Sequence, residues 1–159
     1  MTVWGAIAGG FVGAIVFAAL LRVAQEAGLT RMDIPLLLGT IFTENRNRAT
    51  AIGYLLHFVI GIVAALVYYA IFRAVDQAGW WFGLLLGAMH AAFVGGGLAN
   101  VALPAVHPRM GTPWSDADET PLLEQPGFML VNYGSMTAAV TFVVHLCFGA
   151  IVGAFAAGF

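Results

Sequence analysis

The chain has 159 residues, 61% of them apolar and 9% charged, with a formal net charge of −2. Soluble domains carry roughly a quarter of charged residues, and so short a chain has no interior that could hide this much apolar surface, so lipid is its solvent. All six cations are Arg, and the near-neutral balance excludes an electrostatic footprint for nucleic acid. A single cysteine, Cys147, excludes an internal disulfide.

The first uncharged span runs from Val3 to Leu21 and ends at Arg22. No basic side chain precedes it, so it reads as a retained helix rather than a cleaved leader. Gly5, Gly9 and Gly13 recur at four-residue spacing, which puts them on one face where a second helix can approach closely. Residues 22–48 form a connection with substructure. Gly28 suits a helix C-cap, and Asp33 can cap a short apolar turn over 34–42 that is too short to cross a bilayer and so lies at its interface. The second span covers Ala49 to Phe72 and the third Trp80 to Pro104, joined by a tight turn at 76–79. A proline-rich polar stretch, 106–135, leads to the fourth span, Met136 to Phe159. The fold class is therefore an all-α integral membrane protein with four transmembrane helices.

Arg22, Arg31, Arg46, Arg48 and Arg109 fall on one side of these spans and only Arg73 on the other. The positive-inside rule then predicts a multi-pass protein of the bacterial inner membrane, with loops 22–48 and 106–135 cytoplasmic and both termini outside. Trp4, Tyr68, Tyr69, Trp80 and Trp81 form the expected outer aromatic belt.

The chain also reads as an internal duplication within one four-helix domain, repeat 1 being about 1–74 and repeat 2 about 79–159. Pro35-Leu36-Leu37, Gly39, Phe42 and Asn45 run in the same order as Pro121-Leu122-Leu123, Gly127, Phe128 and Asn132. Residues 51–61 then match 139–149 without a gap, histidine on histidine and glycine on glycine. Each unit is helix, interfacial turn, helix, which predicts parallel repeats related by a pseudo-twofold along the membrane normal. Asn45 and Asn132, at matching positions, are expected to cap the second and fourth helices.

Three histidines interrupt the apolar runs. At 1.5 Å per residue, His57 lies roughly 14 Å from its helix start, and His90 and His145 roughly 15 Å from theirs, the middle of a core about 30 Å thick. Ionisable residues at that depth are costly and mark a functional interior. Gly53 and Gly61 flank His57 by one turn, and Gly149 follows His145, so missing side chains beside the imidazoles suggest a slot. A haem b held between the second and fourth helices by His57 and His145 would use it. Copper or zinc on His57, His90 and His145 is the other chemistry these residue types support. Thr141, four residues before His145, is a candidate partner for that ring's second nitrogen. Cys147 faces elsewhere on the helix and is no candidate thiolate ligand. The competing reading is that each neutral histidine only hydrogen-bonds a neighbouring helix, for about 1 kcal/mol.

His107-Pro108-Arg109-Met110 follows the third span, with Asp116, Asp118, Glu119 and Glu124 soon after and Glu44, Arg46 and Arg48 across from them. Carboxylates here could hold a hard cation or face a basic partner, although solvated acids between prolines are the ordinary alternative.

Residues 32–43 (Met-Asp-Ile-Pro-Leu-Leu-Leu-Gly-Thr-Ile-Phe-Thr), Asn47-Arg48-Ala49 with His57, His107-Pro108-Arg109-Met110, and Pro126-Gly127-Phe128 with Asn132-Tyr133-Gly134 resemble a group of small bacterial membrane proteins. The resemblance covers nearly the whole chain and implies a bacterial four-span protein without implying an activity. The sequence holds no recognisable nucleophile–base pair or phosphate loop, which disfavours catalysis by this chain alone. The expectation is thus a midplane haem or metal protein serving as a redox or assembly subunit of a larger membrane complex. The first alternative is a structural accessory subunit whose glycine faces dock on partner helices, and the second is a small transporter.

Overall fold

The computed structural model describes residues 1–111 and 123–158. Its elements are α1 (Val3–Glu26), α2 (Ile34–Gly39), α3 (Arg46–Val75), α4 (Trp80–Phe93), a π-helical segment (Val94–Leu98), α5 (Ala99–Val106), a 3-10 segment (Phe128–Tyr133) and α6 (Thr137–Ala157). Since α4, the π segment and α5 follow one another without a break, four helices are long and apolar enough to cross a membrane: Val3–Glu26, Arg46–Val75, Trp80–Val106 and Thr137–Ala157. This is the all-helical, four-span architecture expected from the sequence.

Local chemistry sets the helix ends. Thr2 accepts from the Gly5 N–H at 3.0 Å, Asp33 from Leu36 at 3.0 Å and Asn45 from Arg48 at 3.1 Å, each satisfying a donor that the first turn leaves free. Because Asn45 caps at that point, α3 begins at Arg46, three residues before the apolar run expected from Ala49. Beyond its apolar span, α1 continues to Glu26, where an Arg22–Glu26 pair at 2.8 Å supports the last turn. The expected cap at Asn132 does not form. Its amide donates to the Gln125 carbonyl at 3.0 Å, and α6 starts after Met136 with no side-chain cap.

Packing follows the small residues. α1 lies along both α3 and α6, and α6 along both α1 and α4, giving the row α3–α1–α6–α4. Gly9 and Gly13 receive Phe155, Val152 and Phe148 of α6, while Gly10, on the other side of α1, meets Ala65 and Gly61 of α3. At the α4–α6 contact the backbones touch: a β-carbon at Gly83 would overlap the Gly149 carbonyl, and one at Gly149 would overlap the Gly83 carbonyl. The glycine face read as a dock for partner helices is therefore consumed inside the chain.

The two halves share an order of elements and a crossing point. Gly61 packs on Gly10 and Ala14 of the helix that opens its half, and Gly149 packs on Gly83 and Gly87 of the helix that opens the other. A full twofold would also pair α3 with α4 as closely as α1 pairs with α6. Instead, α3 and α4 meet through long side chains, Tyr68 against His90 and Phe72 against Phe82, rather than along their backbones. The pseudo-twofold expected from the sequence is broken there, and the row stays open between the second and third spans.

Gly83→Ala and Gly149→Ala should each cost about 1–3 kcal/mol, as overpacking does, because neither backbone can retreat from the other. Gly97→Ala, where no atom stands within 4 Å of the added carbon, should leave stability unchanged or raise it by up to about 1 kcal/mol. Unfolding in mixed micelles checks this; equal losses at all three positions would contradict the packing.

Candidate functional site

The three buried histidines are fixed by different partners. On α3, His57 Nε2 lies 3.1 Å from the Ala14 carbonyl of α1. A carbonyl can only accept, so Nε2 carries the proton and Nδ1 of the neutral ring is a bare lone pair. On α6, His145 Nδ1 lies 2.8 Å from the backbone carbonyl of Thr141, which by the same logic leaves Nε2 bare. His90 of α4 shares a 3.2 Å hydrogen bond between Nδ1 and the Tyr68 hydroxyl, and either group can donate.

Aromatic contacts gather the rings. His90 and His145 meet edge to face with centroids 4.8 Å apart. Phe17 of α1 stands 5.2 Å from His57 and 4.9 Å from His145. All three histidines, with Thr141, line one cavity of about 340 Å³ whose remaining walls are almost wholly apolar. Its loop end is closed by Met32, Leu37, Leu130 and Tyr133. Ile60 and Leu98 line it from the two sides of the α3–α4 gap and are 50% and 42% exposed, so the cavity reaches the outer surface there.

One polar atom in this cavity wall is orphaned. Thr141 is 1% exposed, and its Oγ1 is the buried side-chain oxygen or nitrogen without a hydrogen-bond partner among the described residues. A helical threonine ordinarily bonds back to the carbonyl four residues earlier, and Thr141 does not. Among the described residues the second nitrogens of His57, His90 and His145 likewise have no hydrogen-bond partner, and all three rings line the cavity.

The structure revises the site expected from sequence at several points. It is the Thr141 backbone carbonyl, not its hydroxyl, that holds His145. The glycines leave no slot: Gly53 lies under the Pro35 backbone, Gly61 against Ala14 and Gly10, and Gly149 against Gly83. Phe17 packs against both the His57 and the His145 rings and takes up space that a macrocycle bound by the two would need. A haem b on these two residues does not fit. Among the described residues no three His, Cys, Asp or Glu side chains form a group that could hold a metal ion, so His57, His90 and His145 share a cavity without forming a copper or zinc site.

Tyr68 and Phe17 are the contributors that sequence reasoning missed. Tyr68, a residue of the expected outer belt, is instead buried and reaches His90. Its position, three helical turns beyond His57 and so on the same face, was the available clue.

At the loop end, His107 closes a second polar arrangement. Its Nδ1 accepts from the Arg109 N–H at 3.1 Å, and its protonated Nε2 lies 3.1 Å from both the Leu37 carbonyl and the Thr40 hydroxyl. The Arg109 guanidinium bonds the Thr40 carbonyl and pairs with Glu44 at 3.3 Å. These contacts tie the end of α5 to α2, which packs on α3. Glu124 pairs with Arg31 at 3.1 Å. Glu44 and Glu124 are thus matched to arginines, whereas Asp116, Asp118 and Glu119 lie outside the described residues.

Comparison with known protein families, curated proteins and solved structures found no match.

Burial pushes the His107 pKa below its ordinary 6.5; the Leu37 carbonyl opposes this in part, and the Arg109 charge adds to it. The unfolded chain therefore takes up this proton before the folded one, so the contact is intact above pH 6.5 and weakens as the pH falls below it. Hydrogen exchange at the amides of 37–44 should accelerate as the pH falls below about 6.5, after correction for intrinsic rates. His107→Gln should flatten that dependence, and an unchanged profile in the variant would contradict the assignment.

Proposed function

We propose that this chain is a membrane-embedded binding protein for a small apolar molecule with a polar head, acting as an accessory subunit of a larger membrane complex. The observation that carries this reading is a largely apolar cavity bordered by three imidazoles and by Thr141, whose buried hydroxyl has no partner among the described residues. Leaving a buried polar atom unpaired costs roughly 1–3 kcal/mol, and a bound polar head removes that cost. A volume of about 340 Å³ is at the small end of ligand pockets, which span roughly 300–1,000 Å³. The gap between α3 and α4 gives passage from the acyl-chain layer, so the molecule reaches the cavity without crossing water.

In this reading the histidines orient the ligand and hold no iron, copper or zinc. The excess of arginines at the loop-bearing end supports an inner-membrane orientation with loops 22–48 and 106–135 in the cytoplasm. A structural role through free glycine faces is less well supported, since those faces are used internally. A transporter for a polar solute is also disfavoured, because the cavity walls offer it few polar groups.

Protein purified gently from native membranes and then denatured should release an apolar molecule at about one per chain by mass spectrometry. Ala64→Phe, which places a ring in the cavity from α3, should abolish that release while the folded helix content persists. Equal extracts from both proteins, with no bound molecule in either, would contradict the proposal.

A further inference from the structure

The hydrogen-bond partners of the histidines say more about what the cavity takes, on the footing of the binding role proposed above. His57 and His145 each spend their ring proton on a backbone carbonyl, at 3.1 and 2.8 Å. Neither carbonyl can donate in return, so each neutral imidazole turns a bare lone pair to the cavity, Nδ1 from His57 and Nε2 from His145. His90 differs, because its partner is a hydroxyl. When Tyr68 donates to Nδ1, His90 Nε2 becomes an N–H donor; when Nδ1 donates to Tyr68, Nε2 is a third lone pair. Thr141 Oγ1 can donate or accept.

The polar end of the cavity therefore offers two fixed acceptors and two adjustable groups. A ligand whose head is only a carbonyl, ether or ester could accept from Thr141 or from His90, but would set lone pairs against lone pairs at His57 and His145 and leave both of those acceptors unmet. A hydroxyl head fits: its proton goes to an imidazole lone pair and its oxygen accepts from Thr141 or from His90.

From this arrangement we infer that the cavity selects apolar molecules bearing O–H or N–H donors, a phenol, quinol or alcohol head on a hydrocarbon body, over carbonyl or ether analogues of the same shape. The lateral opening, flanked by Ile60 and Leu98, suits the hydrocarbon part. Sites built to hydrogen-bond a hydroxyl reject analogues that lack it far more strongly than they reject a change of a methylene.

Three probes of nearly equal size test the inference: 4-pentylphenol, its methyl ether 4-pentylanisole, and 4-pentylacetophenone. Each is titrated into the full chain in lipid nanodiscs, with empty nanodiscs subtracted for partition into the bilayer. The phenol should bind at least about tenfold more tightly than either analogue. Thr141→Val should weaken the phenol while leaving it ahead of the ether, because the imidazole acceptors remain. Equal binding of all three, or a preference for the ketone, would overturn donor selection and leave the cavity as a binding site. If none of the probes binds and Ala64→Phe also changes nothing, both the selection and the binding role fall.

Discussion

Backbone meeting backbone at the α4–α6 crossing is the contact on which the rest of the molecule depends. Inside a bilayer, helices gain little from burying apolar side chains, because lipid tails are as apolar as leucine; close van der Waals contact must hold them together. Gly83 and Gly149 provide it by letting each carbonyl occupy the space of the other's missing side chain. Gly10 and Gly61 make a similar contact between α1 and α3. With α6 gripped by both α1 and α4, while α3 lies along α1 and the short α2 but meets α4 only through side chains, the row cannot close evenly. The gap it leaves is the side of the cavity that faces lipid.

Polar groups in this setting are placed by what the helices leave over. Each helical carbonyl has a second lone pair after its own ladder bond, and His57 and His145 use those of Ala14 and Thr141. These bonds fix which nitrogen keeps its proton and so set the chemistry of the cavity wall. Next to it, α4 widens into a π-helical turn at Val94–Leu98, and Asn100 donates to the Gly95 carbonyl at 3.2 Å, pairing a group within the widened ladder. Such insertions are frequent at functional sites, and here the widened turn brings Val94 and Leu98 to the cavity lining.

Much of the fold was legible because membrane helices announce themselves by length and by the lack of charge. The four spans, the caps at Asp33 and Asn45, and the short interfacial α2 follow from local sequence. The convergence of His57, His90 and His145 on one cavity was also readable, since depth along a helix is simple arithmetic. What composition could not reveal was how each glycine is used. Gly53 and Gly149 look alike beside a histidine whether they face a cofactor or another backbone, and only the helix partners decide. The same limit hid Phe17, whose contact with both His57 and His145 depends on α1 lying between α3 and α6. Nor could the Thr141 hydroxyl be known as unpaired, because its usual partner is the carbonyl one turn back.

The protonation pattern of the imidazoles is the most direct measure of this account, and nitrogen-15 spectroscopy of histidine-labelled protein in bilayers reads it without a ligand in hand. At neutral pH, His57 should carry its proton on Nε2 with Nδ1 bare, and His145 the reverse. A proton on Nδ1 of His57, or rings carrying protons on both nitrogens, would remove the two acceptors and contradict this assignment.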